Sequence, residues 1–188
     1  IQACGTPVRA LTYAVVPIGA QAGLIEVAPN SRTLGLMKRH ITSGRGRERV
    51  VEYLGNEDAK LQRLAGSTAA YLASNFIFGV GDGHGDNVMI TIDGFLFRID
   101  FWYAFGDAPT IDAPVMWLPK AITTALGERW FGVMDACMKA FLVAQAVLVM
   151  GWSFPAKPIA DWLKMAEGVL DTSIEEFVAN RTHQDLRD

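Results

Sequence analysis

Two carboxylates, an imidazole and an amide fall close together in residues 78–101 of this 188-residue chain, FGVGDGHGDNVMITIDGFLFRIDF. Asp82, His84 and Asn87 crowd into six residues after an apolar run, and Asp100 comes just before the end of the stretch. Such a set suits transfer of a phosphoryl group. One carboxylate can orient an attacking hydroxyl, while an amide oxygen and a second carboxylate supply hard oxygen ligands for cations that bridge nucleotide phosphates. Gly79, Gly81, Gly83 and Gly85 alone would describe a solvated loop with its aspartates in water. Against that plain reading stands the order of the segments: loop, apolar runs, then Ile-Asp-Phe.

For these groups to meet, the chain has to fold back on itself. Residues 89–91 and 95–99 are short apolar runs with Asp93 and Gly94 between them, which predicts a hairpin closed by a two-residue turn. Closing it returns Asp100 to Asn87, residues too far apart in sequence to meet on one helix. Upstream, Leu61, Leu64, Ala65, Thr68, Leu72 and Phe76 recur at helical spacing. They predict a helix over 57–78 that packs on a core and delivers the loop.

The stretch resembles the catalytic and metal-binding loops of the phosphatidylinositol 3-/4-kinase family, whose pattern reads approximately GxGDRHxDNxM, a hairpin, then LFHIDFG. Residues 23–34, GLIEVAPNSRTL, resemble the family's hinge, where a strand leaves the small lobe and its backbone binds adenine. The resemblance covers roughly residues 9–150. It implies an α+β, protein-kinase-like two-lobed fold, with residues 1–28 the closing strands of the N-terminal lobe and the hinge. Residues 29–188 would form the mostly helical C-terminal catalytic lobe with its catalytic-loop hairpin. The implied activity moves the γ-phosphate of ATP to a hydroxyl of phosphatidylinositol, with Mg²⁺ or Mn²⁺ as the metal. In that scheme Asp82 orients or deprotonates the acceptor hydroxyl and His84 stabilises charge on the transferred group. Asn87 and Asp100 hold the metal, the Glu26 and Ala28 backbones contact adenine, and Met89 and Ile99 form the apolar floor beneath it. The family's phosphate-binding loop and lysine lie upstream of the hinge. They are expected elsewhere in a longer parent, so the chain alone should be inactive.

Two departures from the pattern bear on the function. Gly83 replaces the arginine between Asp and His, and Trp102 replaces the glycine after Asp-Phe. Three function classes therefore stay open: a lipid kinase, a protein kinase of the same superfamily such as an actin-directed one, and a noncatalytic scaffold. Residues 102–120 contain Pro109, Pro114 and Pro119 and predict an irregular loop where the family carries its activation loop. No basic residue lies between Asp100 and Lys120. A polyphosphorylated headgroup would need Lys or Arg there, which disfavours such a substrate.

Composition sets broader bounds. With 51% hydrophobic residues the chain can bury one sizeable core, and a net charge of −3 gives no sign of a nucleic-acid surface. Cys4 and Cys137 have neither metal nor redox spacing, which suggests reduced thiols and a cytoplasmic setting with peripheral membrane contact open. The longest apolar stretch, residues 140–152, is interrupted by Gln145 and falls short of the ~20 residues a membrane span requires. Elsewhere the pattern predicts two antiparallel strands over 8–18 and 24–28, and a short helix through Met37 capped by Asn30 or Ser31. Residues 40–49 read as a solvated polar loop. Residues 128–150 read as a helix with Phe131, Met134, Met138, Phe141, Leu142 and Val149 mostly in the core, and a last amphipathic helix carries Trp162 and Phe177.

Overall fold

The structure, a computed structural model, describes residues 8–39, 46–105, 107, 109–110 and 117–149. Across them the chain is mixed α and β. The order is β1 (Val15–Gly19), β2 (Ala22–Ile25), β3 (Ser31–Thr33), α1 (Leu34–Arg39), α2 (Gly46–Tyr53), α3 (Asp58–Ile77), β4 (Val88–Thr91), β5 (Leu96–Arg98), α4 (Lys120–Leu126) and α5 (Arg129–Val149).

The helix α3 forms where the apolar spacing predicted it. Leu61, Leu64, Leu72 and Ile77 are buried along with the small residues Ala69, Ala70 and Ala73. Its alanines allow α5 to pack closely on one side, and β5 packs against it as well. The centre of the core is Leu64, Leu72, Val88, Ile90, Leu96, Ile122 and Phe141. Phe141 meets Phe76 edge to face with ring centroids 5.6 Å apart. Phe141→Leu should lower stability by about 1–2 kcal/mol through lost aromatic contact and a small cavity, measured as a drop in the thermal unfolding midpoint.

Strands β1 and β2 pair antiparallel as expected, with Val15 opposite Ile25. The first is shorter than predicted, because residues 8–14 run along the body instead. Val8 is buried there, and the Arg9 amide donates to the Gly66 carbonyl of α3 at 3.1 Å. The β1–β2 hairpin itself is exposed along both strands.

Residues 31–33 form strand β3, so neither Asn30 nor Ser31 caps α1. β3 is the outer strand of a three-stranded antiparallel sheet, paired with β4 through Ser31–Thr91, Arg32–Ile90 and Thr33–Met89. Thr33 does the capping, its hydroxyl accepting from the Leu36 amide at 3.2 Å. The solvated loop expected over 40–49 is also partly overturned: residues 46–49 belong to α2, and 40–45 lie outside the described residues. α2 is held by burial of Val50, followed by Leu54, and packs against α4, a helix the pattern did not predict.

On α5 the expected core list needs correction. Val133, Ala136, Cys137, Ala140 and Phe141 are buried, at spacings of three and four that mark one helix face. Phe131, two residues before Val133, therefore points about 200° away and is 77% exposed. Leu142 is 43% exposed for the same reason, while Met134 and Met138 are half-buried. The side chain of Val149 and the expected last helix lie outside the described residues, as does Cys4. Among the described residues no helix is long and apolar enough to cross a membrane.

Candidate active site

The hairpin that must return Asp100 to Asn87 is present as β4 and β5, with Val88 opposite Arg98, Met89 opposite Phe97 and Ile90 opposite Leu96. Alternation sets two faces. Val88, Ile90, Leu96 and Arg98 share the fully buried one. Asn87, Met89, Phe97 and Ile99 share the other, on which Met89 and Ile99 are half-buried. The ladder continues one step past the strands, where the Ile99 amide donates to the Asn87 carbonyl at 3.0 Å. Asp100 is thus held one residue from the partner of Asn87. The connection is a three-residue turn, not the two-residue one predicted: the Thr91 amide donates to the Phe95 carbonyl and Gly94 adopts φ 92°.

The loop from α3 to β4 is tied at several points. Leaving the helix, the Val80 amide donates to the Asn75 carbonyl at 2.9 Å and the Gly81 amide to the Tyr103 carbonyl at 2.9 Å. The latter bond, with the Phe105 amide to the Phe78 carbonyl at 2.8 Å, joins the loop to the segment after Asp100. The loop glycines are not all there for flexibility. The Gly35 amide at the start of α1 donates to the Gly85 carbonyl at 2.7 Å, and a Cβ on Gly85 would lie 2.9 Å from that same nitrogen. A side chain at 85 would push the loop off α1.

Asp82 sits in the left-handed region at φ 57° and Asp100 at φ 62°. Most non-glycine residues pay roughly 1–2 kcal/mol there, and Asp and Asn are among the few that visit it routinely. The Asn87 side-chain amide donates to Asp82 Oδ2 at 2.9 Å and to the Asp82 carbonyl at 3.3 Å. This orientation turns the amide oxygen of Asn87 away from Asp82. His84 Nε2 lies 3.5 Å from Asp82 Oδ1, an ion pair when the imidazole is protonated, and His84 Nδ1 accepts from the Asp86 amide at 3.2 Å. Asp100 is exposed, with one carboxylate oxygen accepting from the Trp102 amide at 3.2 Å. Trp102 itself is 83% exposed.

The structure therefore brings Asp82, His84, Asn87 and Asp100 to the open end of one hairpin, with Met89 and Ile99 on the same face as Asn87. Glu26 and Ala28 are tied elsewhere: the Glu26 amide donates to the Ala14 carbonyl at 2.8 Å, and the Ala28 carbonyl accepts from the Ser31 hydroxyl at 2.8 Å. A cavity of about 300 Å³ lies between residues 10–15, α3 and β5, lined by Tyr13, Tyr71, Asn75, Phe97 and Arg98 among others. None of the eight sequence-assigned residues lines it, so it is not the place where they converge.

Arg98 was not singled out from the sequence. It is 5% exposed beneath the loop and donates to the carbonyls of Gly81, Asp82 and Asp100. A signal was present, since the family pattern has histidine at this position. Tyr13 donates to the Arg98 carbonyl at 3.3 Å. Burial, reinforced by the Asp100 carboxylate, raises the Tyr13 hydroxyl above its usual range, so it remains a donor at neutral pH.

No protein-family model matches the chain. Among curated proteins it is similar to the phosphatidylinositol 3-kinase VPS34 of Saccharomyces cerevisiae, 32% identical over 146 residues that span 72% of this chain and 16% of the relative. It is similar to phosphatidylinositol 3-kinase 3 of Dictyostelium discoideum, 27% identical over 195 aligned residues, 94% of this chain and 11% of the relative. The VPS34 kinase of Arabidopsis thaliana is 32% identical over 128 residues, 66% of this chain and 15% of that protein. The chain thus spans less than a fifth of the length of each.

Proposed function

Because the chain belongs to the phosphatidylinositol 3-/4-kinase family, we propose that it carries the catalytic lobe of an ATP-dependent phosphotransferase acting on a hydroxyl of phosphatidylinositol. The observation that carries the reading is the meeting of Asp82, Asn87 and Asp100 at one end of the β4–β5 hairpin. Residues 29–188 are then the catalytic lobe, and 1–28 the end of the other lobe with the hinge.

The donor set fits a small hard cation. The Asn87 amide oxygen and an Asp100 carboxylate oxygen are of the kind Mg²⁺ or Mn²⁺ takes, and Mg²⁺ ordinarily adds only one or two side chains to its waters and substrate phosphates. When bound, the metal neutralises charge on the nucleotide phosphates. The chain's own residues do the rest. Asp82, fixed by the Asn87 amide, accepts the proton of the acceptor hydroxyl and aims that oxygen. His84, half-exposed at the loop tip, stabilises charge on the transferred group. Met89 and Ile99 supply the apolar floor for the base. The Glu26 amide and Ala28 carbonyl already have partners, so the Glu26 carbonyl and the Ala28 amide are assigned to adenine.

The test is ATP consumption by the full-length protein with Mg²⁺ or Mn²⁺, against phosphatidylinositol vesicles and against a cell protein extract. Turnover on vesicles is expected, and Asp82→Asn should reduce kcat by about 10²-fold, the lower end for a positioned base. Labelling of an extract protein without vesicle turnover would point to a protein acceptor, a reading for which the exposed Trp102 in place of glycine speaks. Absence of turnover on both by a folded protein would leave a binding module.

A further inference from the structure

We infer that Arg98 is a positioning residue that holds the Asp82 loop and the Asp100 segment in fixed register, an inference that rests on the phosphotransferase reading above. Its guanidinium bridges two pieces of chain that are separate in sequence. Nη2 donates to the Gly81 carbonyl and, at 3.0 Å, to the Asp82 carbonyl, while Nε donates to the Asp100 carbonyl at 3.3 Å. The Arg98 backbone is itself fixed, by pairing with Val88 on one side and by the Tyr13 hydroxyl on its carbonyl.

Asp82 and Asp100 both lie outside the helices and strands, in left-handed conformations. The Asp82 carbonyl also accepts from the His84 amide at 3.1 Å and the Asn87 side chain at 3.3 Å, and Arg98 adds the donor that ties it to the Asp100 segment. A planar fork of five N–H groups can serve several carbonyls at once in a set geometry, which a single ammonium on a flexible stem cannot. Burying that cation is tolerated because the carbonyls of Gly81, Asp82 and Asp100 accept its N–H groups. The family pattern has histidine at this position and arginine where Gly83 stands, so this chain has its guanidinium under the loop instead of on it.

The test compares Arg98→Met, which keeps the length and removes every donor, with Arg98→Lys, in the full-length protein. Amide hydrogen exchange is read first, since it needs no activity. In Arg98→Met, exchange over residues 81–84 and 99–102 should accelerate together by about tenfold, the loss of a hydrogen bond to a charged group, with the interior of α3 unchanged. Arg98→Lys should fall between Met and wild type. In ATP turnover, the Mn²⁺ concentration giving half-maximal rate should rise several-fold in Arg98→Met while KM for the acceptor stays put. Unchanged exchange in both segments, or acceleration spread equally through α3, would overturn the inference and leave Arg98 a packing residue. An unshifted Mn²⁺ midpoint in an active variant would overturn it as well. Should wild type show no turnover, the phosphotransferase reading fails and the exchange data still decide whether the clamp exists.

Discussion

Asp100→Asn is expected to lower ATP turnover by the full-length protein by about 10³-fold, roughly 4 kcal/mol of transition-state stabilisation, with little change in thermal unfolding. Asparagine is the right replacement because Asp100 sits at φ 62°. Alanine there would add backbone strain to the loss of charge and blur the two, whereas Asn tolerates that conformation as Asp does. The Asn side-chain oxygen can also keep the bond from the Trp102 amide. What disappears is the carboxylate charge of the proposed metal site. Part of the loss should return at high Mn²⁺, since a weakened ligand is offset by mass action. Turnover within tenfold of wild type at low metal would remove Asp100 from the metal site.

The largest effect on stability is expected at the hairpin tip. Gly94 has φ 92°, and a Cβ there would lie 2.2 Å from the Lys60 carbonyl oxygen and 2.9 Å from its carbon, both backbone atoms of α3. No rotation of a flexible side chain can relieve such a contact. Gly94→Val therefore combines a conformational penalty of about 1–3 kcal/mol with overpacking of similar size. A loss of roughly 3–5 kcal/mol should result, seen as a large drop in the unfolding midpoint or failure to accumulate folded protein. The tip cannot simply lift away. Arg63 Nε donates to the Asp93 carbonyl at 2.6 Å, and the buried Ser67 hydroxyl accepts from the Leu96 amide at 2.9 Å. Displacing the tip would break these bonds and shift the far end of the hairpin, where Asn87 and Asp100 meet. A variant with wild-type stability would show that α3 and the turn are not in close register.

The groups of the candidate site were legible before any fold was known. Asp82, His84, Asn87 and Asp100 lie in an order that a hairpin can close, and the β4–β5 hairpin closes it. Helix α3 was equally plain, because twenty residues give an apolar face enough turns to declare its period. Less legible were the short elements. Strand β3 has three residues and its partner lies some sixty positions away, so no local pattern marks it. With only a short window at Ser31, a cap and a strand start look alike, and the difference was decided by the ladder with β4. Phe131 shows the complementary error: its apolarity placed it in the core, while helix phase turned it outward.

By itself the sequence determined which groups are available and the local turns and periods that carry them, because those depend on neighbours a few residues apart. Only the tertiary structure decided that Arg98 lies under the loop and reaches three carbonyls from two segments, and that Gly94 touches α3. It likewise decided that Gly85 meets Gly35. Each is a close approach between distant parts of the chain. Such approaches are set by how whole elements pack, and a residue's type restricts them without choosing its partner.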